Sequence, residues 1–117
     1  MIYNSTLTIN NKNYRTYSTS DNTEISKGLM HLEEIPDNWG ILFNYKNSGY
    51  EGIWMKNTLI PLDVVWIDEN KVIVDKKTLY PNTEIINYPK SQCKYILEVN
   101  ANTFVGEIGE VVSMESL

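Results

Sequence analysis

The chain has 117 residues, 42% of them hydrophobic and 21% charged, which is ordinary globular composition for one domain and excludes a disordered chain. Its net charge of −5 repels phosphate backbones and argues against nucleic acid as a partner. The single cysteine, Cys93, excludes an intramolecular disulfide, and no apolar run approaches the roughly 20 residues that cross a bilayer, so a soluble, cytoplasmic protein with no membrane partner is expected.

The opening MIYNSTLTIN has no basic stretch followed by an apolar one, so no signal peptide is expected. Within it, residues 5–9 (STLTI) alternate polar and apolar, the period of a half-buried strand. Asn-rich turn chemistry follows at 10–13, and strand residues resume at 14–18, which together predict a β-hairpin.

A helix is predicted over about residues 21–31. Asp21 is placed to cap it, and Glu24, three residues on, completes a capping box. Ile25 and Leu29 share one helical face, and Gly28 falls inside the expected helix, at a cost of about 1 kcal/mol relative to alanine. A glycine tolerated there suggests close approach of another backbone. Pro36-Asp37-Asn38 then marks a loop.

Further strands are predicted at 40–45, 53–59, 62–67, 72–75 and 94–99, with a short last one after the two glycines of residues 106–114. Pro61 forces a bend between the second and third of these, because proline cannot donate to a ladder. LDVVWI at 62–67 is apolar on both faces after Asp63, which marks a strand covered on both sides. Residues 76–92 hold two prolines and little periodicity, and are expected to be a long functional or mobile loop. With roughly seven or eight short strands and one helix, the expected fold is mainly β: a small single-domain β-barrel or sandwich with one covering α-helix. Asn, Ile, Lys and Tyr are abundant while Ala101 and Arg15 are the only alanine and arginine, a bias that follows AT-rich codons and points to a virus or an AT-rich microbe.

Four segments come in a recognisable order: Gly28-Leu29-Met30, then Gly40-Ile41-Leu42-Phe43, then Trp54-Met55-Lys56-Asn57-Thr58-Leu59-Ile60-Pro61-Leu62-Asp63, then Tyr95-Ile96-Leu97-Glu98-Val99. Together they resemble the domain-of-unknown-function family 192, over roughly residues 5 to 113. The resemblance implies a compact, mainly β domain whose helix carries the Gly-Leu-Met, and it implies no activity. Two positions depart from the family pattern: Gly109-Glu110 stands where relatives usually have Gly-Asp, and His31 stands where they often have a basic residue.

The chemistry concentrates in Trp54 to Asp63. As a strand, this segment would put Trp54, Lys56 and Thr58 on one face, and Met55, Asn57 and Leu59 on the other. Polar side chains inside an apolar segment have two readings. Asn57 can be a buried amide that satisfies loop backbone near Pro61, with Lys56 paired to Asp63 or another carboxylate. Alternatively, Trp54, Lys56, Asn57 and Asp63 line a pocket, with an aromatic wall and a few convergent polar groups. The first hypothesis is a non-catalytic module that binds a small polar ligand or a protein partner there. The alternatives are a structural or interaction protein whose Lys-Asn-Thr motif maintains the fold, and a hydrolase-like enzyme using Lys56 and Asp63 as acid and base.

Other chemistry is weaker. A Cys93/His31 dyad would need a thiolate beside its base. His31, Glu33, Glu34 and Asp37 match no zinc or calcium spacing, and GEIGE lacks the Lys-Ser/Thr of a phosphate loop, so neither a metal nor a cofactor is expected. Tyr45, Tyr50, Tyr80 and Tyr88 fall at loops or strand ends, as edge packing or as a recognition patch.

Overall fold

The computed structural model describes residues 1–117. In chain order the elements are β1 (Ser5–Ile9), β2 (Lys12–Thr19), α1 (Asn22–Lys27), β3 (Trp39–Gly49), β4 (Leu62–Ile67), β5 (Ile73–Leu79), β6 (Cys93–Asn100) and β7 (Ser113–Ser116). The strands form one seven-stranded sheet in the order β5-β4-β6-β3-β2-β1-β7. Neighbours are antiparallel except β2 and β3, which run parallel. A parallel pair cannot be joined by a tight turn, so the chain crosses over between them, and α1 lies in that crossover. No helix is long and apolar enough to cross a membrane.

The sheet is strongly curved. A methyl group added at Gly106 would fall 2.6 Å from Ile9 Cδ1 of β1 and 2.8 Å from Ile73 Cδ1 of β5, so these two side chains nearly meet although four strands separate theirs. A side chain at 106 would have to displace the ends of Ile9, Phe104 and Ile73. The edge strands β5 and β7 do not pair with each other. Instead the chain leading into β7 bonds to the start of β5: Ile73 N–H donates to the Glu110 carbonyl, and Gly109 N–H to the Ile73 carbonyl. The result is barrel-like, with an open seam.

The two faces of the sheet bury different apolar sets. One holds Leu7, Tyr14, Leu42, Val65, Ile67, Leu97 and Val99. The other holds Ile41, Phe43, Val64, Trp66 and Ile96, covered by Leu29, Ile35, Ile53 and Met55 from outside the sheet. Every residue of β4 is buried, Asp63 included, as the apolar run after Asp63 predicts.

Four sequence expectations need correction. The helix is shorter than 21–31: it stops at Lys27, because Gly28 at φ +51° takes the C-cap position and donates its N–H to the Glu24 carbonyl. Only half of the capping box forms. Asp21 accepts from Glu24 N–H at 2.9 Å, but the Glu24 carboxylate turns to the hydroxyls of Tyr17 and Thr19, and Thr19 Oγ1 accepts the Asp21 N–H. Residues 53–59 are not a strand; their only ladder contact is an isolated bridge from Ile53 to Asn87. Conversely, β5 runs on to Leu79, which shortens the long loop to the residues after it.

Candidate functional site

Lys56-Asn57-Thr58 forms a turn rather than a strand, with Asn57 in the left-handed region at φ +55°. Asparagine tolerates that conformation better than most residues. Backbone from two distant segments holds the turn. His31 N–H donates to the Asn57 carbonyl at 2.9 Å, and Asn82 N–H donates to the carbonyls of Met55 and Thr58 at 3.1 and 3.2 Å. The four residues expected to share a pocket do not converge: Lys56 stays beside Trp54, while Asp63 lies elsewhere. The Lys56 side chain is 44% exposed, with its ammonium 3.7 Å from Glu84 and 5.1 Å from the centre of the Trp54 ring. The Asn57 side chain is exposed and makes no hydrogen bond, so it is not the buried amide that the sequence suggested.

Asp63 makes no ion pair with Lys56. It is buried on the face of β4 that also carries Val65 and Ile67, where its carboxylate accepts from Thr78 Oγ1 at 2.7 Å and from the N–H groups of Thr103 and Phe104 at 3.0 Å. Its role is to anchor the 103–104 backbone, and the acid–base pairing of Lys56 with Asp63 is not assembled. Cys93 is fully buried and burial pushes its thiol up, away from thiolate reactivity, while His31 is exposed in its turn.

A different cleft forms on the opposite face. It encloses about 440 Å³ between the end of α1 and the sheet, within the range of small-molecule sites. Gly28, Leu29 and Met30 form one wall, Gly52, Ile53 and Trp54 another, and Phe43 and Tyr45 line it from β3. Thr58 contributes from the turn. Trp54, 39% exposed, is the one expected site residue that lines this cleft.

Glu98 also lines the cleft. It belongs to β6, in register with Ile41 of β3 and Val64 of β4, so its neighbours on that face of the sheet are apolar. Only 4% of Glu98 is exposed, yet its carboxylate makes neither a hydrogen bond nor an ion pair within the protein. Its oxygens are not sealed off, since no buried side-chain oxygen in the molecule lacks both a partner and solvent. A methyl group at Gly28 would come 3.5 Å from Glu98 Oε1, so the absence of a larger side chain at 28 leaves that oxygen open. The close approach expected at Gly28 is thus to side chains, those of Glu98 and Phe43, rather than to another backbone.

Burial pushes the Glu98 carboxyl up from 4.5 to about 7, because the surrounding apolar groups disfavour its charged form. The sign for stability is the reverse of an ordinary paired carboxylate. The folded state holds the proton more tightly than the unfolded state, so stability is full below about pH 4.5 and declines as pH rises to about 7. A shift of that size corresponds to about 3 kcal/mol. Glu98→Gln, which removes the charge and keeps the shape, should match the parent at pH 4 and exceed it at pH 8 by about 2–3 kcal/mol, roughly 10 °C in thermal midpoint. Midpoints recorded from pH 4 to 8 check this; parallel pH profiles for the two proteins would reject it.

Glu98 stands in the sequence as part of the Tyr95–Val99 motif, and only the cleft makes it a candidate site residue. The available signal was alternation: in Tyr95-Ile96-Leu97-Glu98-Val99, the carboxylate shares the face of Ile96 in a strand of high apolar content. A lone carboxylate on such a face is either paired or functional.

With this geometry in place, comparison with known proteins gives the family. Residues 5–112 match DUF192, described as Uncharacterized ACR. The chain belongs to the DUF192 family. Two solved structures share its fold. The crystal structure of a protein of unknown function from Novosphingobium aromaticivorans DSM 12444 aligns with a TM-score of 0.83 at 23% identity, covering 94% of this chain and 83% of that one. That of a "putative transcription regulator" from Sinorhizobium meliloti 1021 aligns with a TM-score of 0.87 at 22% identity, covering 97% of each. No curated protein matches the chain. In this DUF192 domain two of the motif segments read from the sequence meet in space, through the His31–Asn57 backbone bond and the shared core of Leu29 and Met55. Glu110 accepts from Glu107 N–H at 2.7 Å through its carboxylate and so closes the turn before β7.

Proposed function

We propose that this domain is a non-catalytic binding module for a small polar ligand, and that the ligand occupies the cleft between Gly28-Leu29-Met30 and Trp54. One observation carries the reading: Glu98 is buried at the lining of a cleft of ligand size and has no partner of its own. A buried ionisable group without a partner costs several kcal/mol, and a fold retains it where something else completes it. The aromatic and aliphatic lining supplies contact area, and Glu98 with Thr58 supplies orientation. The free thiol of Cys93 is consistent with the reducing, cytoplasmic setting expected from the sequence.

Amide chemical-shift mapping with a library of small polar fragments of both charges tests the reading. Bound fragments are expected to move the resonances of Gly28, Gly52, Trp54 and Glu98, and to leave those around Asp63 in place. A library whose members all fail to bind, or bind only at other surfaces, rejects the cleft as a site.

A further inference from the structure

Resting on that reading of the cleft, we propose that its ligand carries an organic ammonium group, whose nitrogen meets the Glu98 carboxylate and whose carbons contact Phe43, Tyr45 and Trp54. The group comes from a free amine or from a lysine side chain. Three features of the lining support a cation bearing carbon.

The charge balance is acidic. Glu98 and Glu51 both line the cleft, against Lys27 alone, which is exposed at the end of α1 and makes no ion pair with either. A carboxylate that accepts nothing from its own fold is completed by a donor, and an ammonium supplies both donor protons and opposite charge. The aromatic lining favours the same partner, since ring faces attract cations most strongly where water is excluded. Trp54 already holds one such contact, with Lys56, whose charge Glu84 partly offsets.

A bare metal ion fits poorly. Calcium and magnesium take six or more oxygens, and no group of three or more acidic, histidine or cysteine side chains is assembled anywhere in the chain. An alkylammonium needs one carboxylate and an apolar sleeve, which is what the cleft presents.

Binding an ammonium requires ionised Glu98, so affinity falls as the medium is acidified. Around Glu98 the charged and titratable groups are Lys27 from α1, Tyr45 from β3, Glu51 from the segment before Trp54, and Cys93 from β6; the facing residues of β4, Val64 and Trp66, carry no charge. Tyr45 and Cys93 are both pushed up by burial and stay protonated near neutral pH. With Glu98 at about 7, affinity for a cation should fall about 30-fold between pH 8 and pH 5.5.

The test titrates labelled protein with three probes of similar size, butylamine, butanol and butyrate, and with the larger amide of Nα-acetyllysine. At pH 8 the two amines are expected to shift Gly28, Gly52 and Glu98 saturably, at least tenfold more tightly than butanol or butyrate. The stronger of the two amines then distinguishes a free amine from a lysine side chain. Glu98→Gln should weaken amine binding at least tenfold, and the pH series on the unaltered protein gives the same information without a variant. Equal or tighter binding of butanol or butyrate, or amine affinity that is flat with pH, overturns the ammonium assignment. If other fragments occupy the cleft while both amines fail, this inference falls and the binding reading stands; if nothing enters the cleft, both fall.

Discussion

Trp66→Ala is expected to lower unfolding stability by about 4 kcal/mol, the range of large aromatic deletions from a packed core. Trp66 is fully buried and has the largest side chain among the fully buried residues, within the apolar cluster that also holds Leu29, Ile53 and Met55. Its indole N–H also donates to the Glu51 carbonyl at 2.8 Å, which ties the segment leading to Trp54 onto β4. The alanine variant therefore loses packing and leaves that carbonyl without its donor. Trp66→Phe should cost less, about 2 kcal/mol, since it keeps most of the volume and loses the hydrogen bond. Urea unfolding of the three proteins measures both values. A loss below about 1 kcal/mol for the alanine variant would mean that Trp66 does not hold this layer together. Because Glu51, Gly52 and Trp54 line the cleft, fragment affinity should fall in parallel with stability.

The second large effect is at Asp63. Asp63→Ala should cost about 3–4 kcal/mol, because it removes three hydrogen bonds to one carboxylate and strands two backbone N–H groups, those of Thr103 and Phe104. Asp63→Asn keeps an oxygen acceptor and should recover part of the loss. Chemical denaturation of both variants gives the comparison, and hydrogen exchange at Thr103 and Phe104 locates it: these two amides should lose protection first. If the alanine variant is as stable as the parent, the anchoring role assigned to Asp63 is wrong. Neither variant is expected to affect binding in the cleft directly, because Asp63 faces the opposite side of β4 from Val64 and Trp66.

The contrast between Asp63 and Glu98 explains why the site was hard to read from the sequence. Both are single carboxylates in buried strands. Asp63 follows a conspicuous polar triplet and a proline, yet loop backbone from forty residues downstream and the Thr78 hydroxyl satisfy it. Glu98 interrupts an apolar strand with no other polar signal nearby, and nothing in the protein satisfies it. Which carboxylate finds a partner depends on residues remote in the chain, and spacing within a strand carries no information about them.

The residue pattern alone determined a mainly β chain with one helix starting at Asp21, the β1–β2 hairpin and the β4 strand covered on both faces, while the end of that helix before Gly28 was set by the fold. These follow from local physics: period-two alternation, unbroken apolar runs, and the turn chemistry of asparagine and glycine. Tertiary structure decided the rest. It made β2 and β3 parallel, turned 56–58 from strand into a held turn, placed Lys56 and Asp63 apart, and opened a cleft over Glu98. Alternation fixes which residues share a face of one strand, but the identity of the neighbouring strand and what covers that face are set by long-range packing. That packing is what leaves the Glu98 carboxylate buried and without a partner.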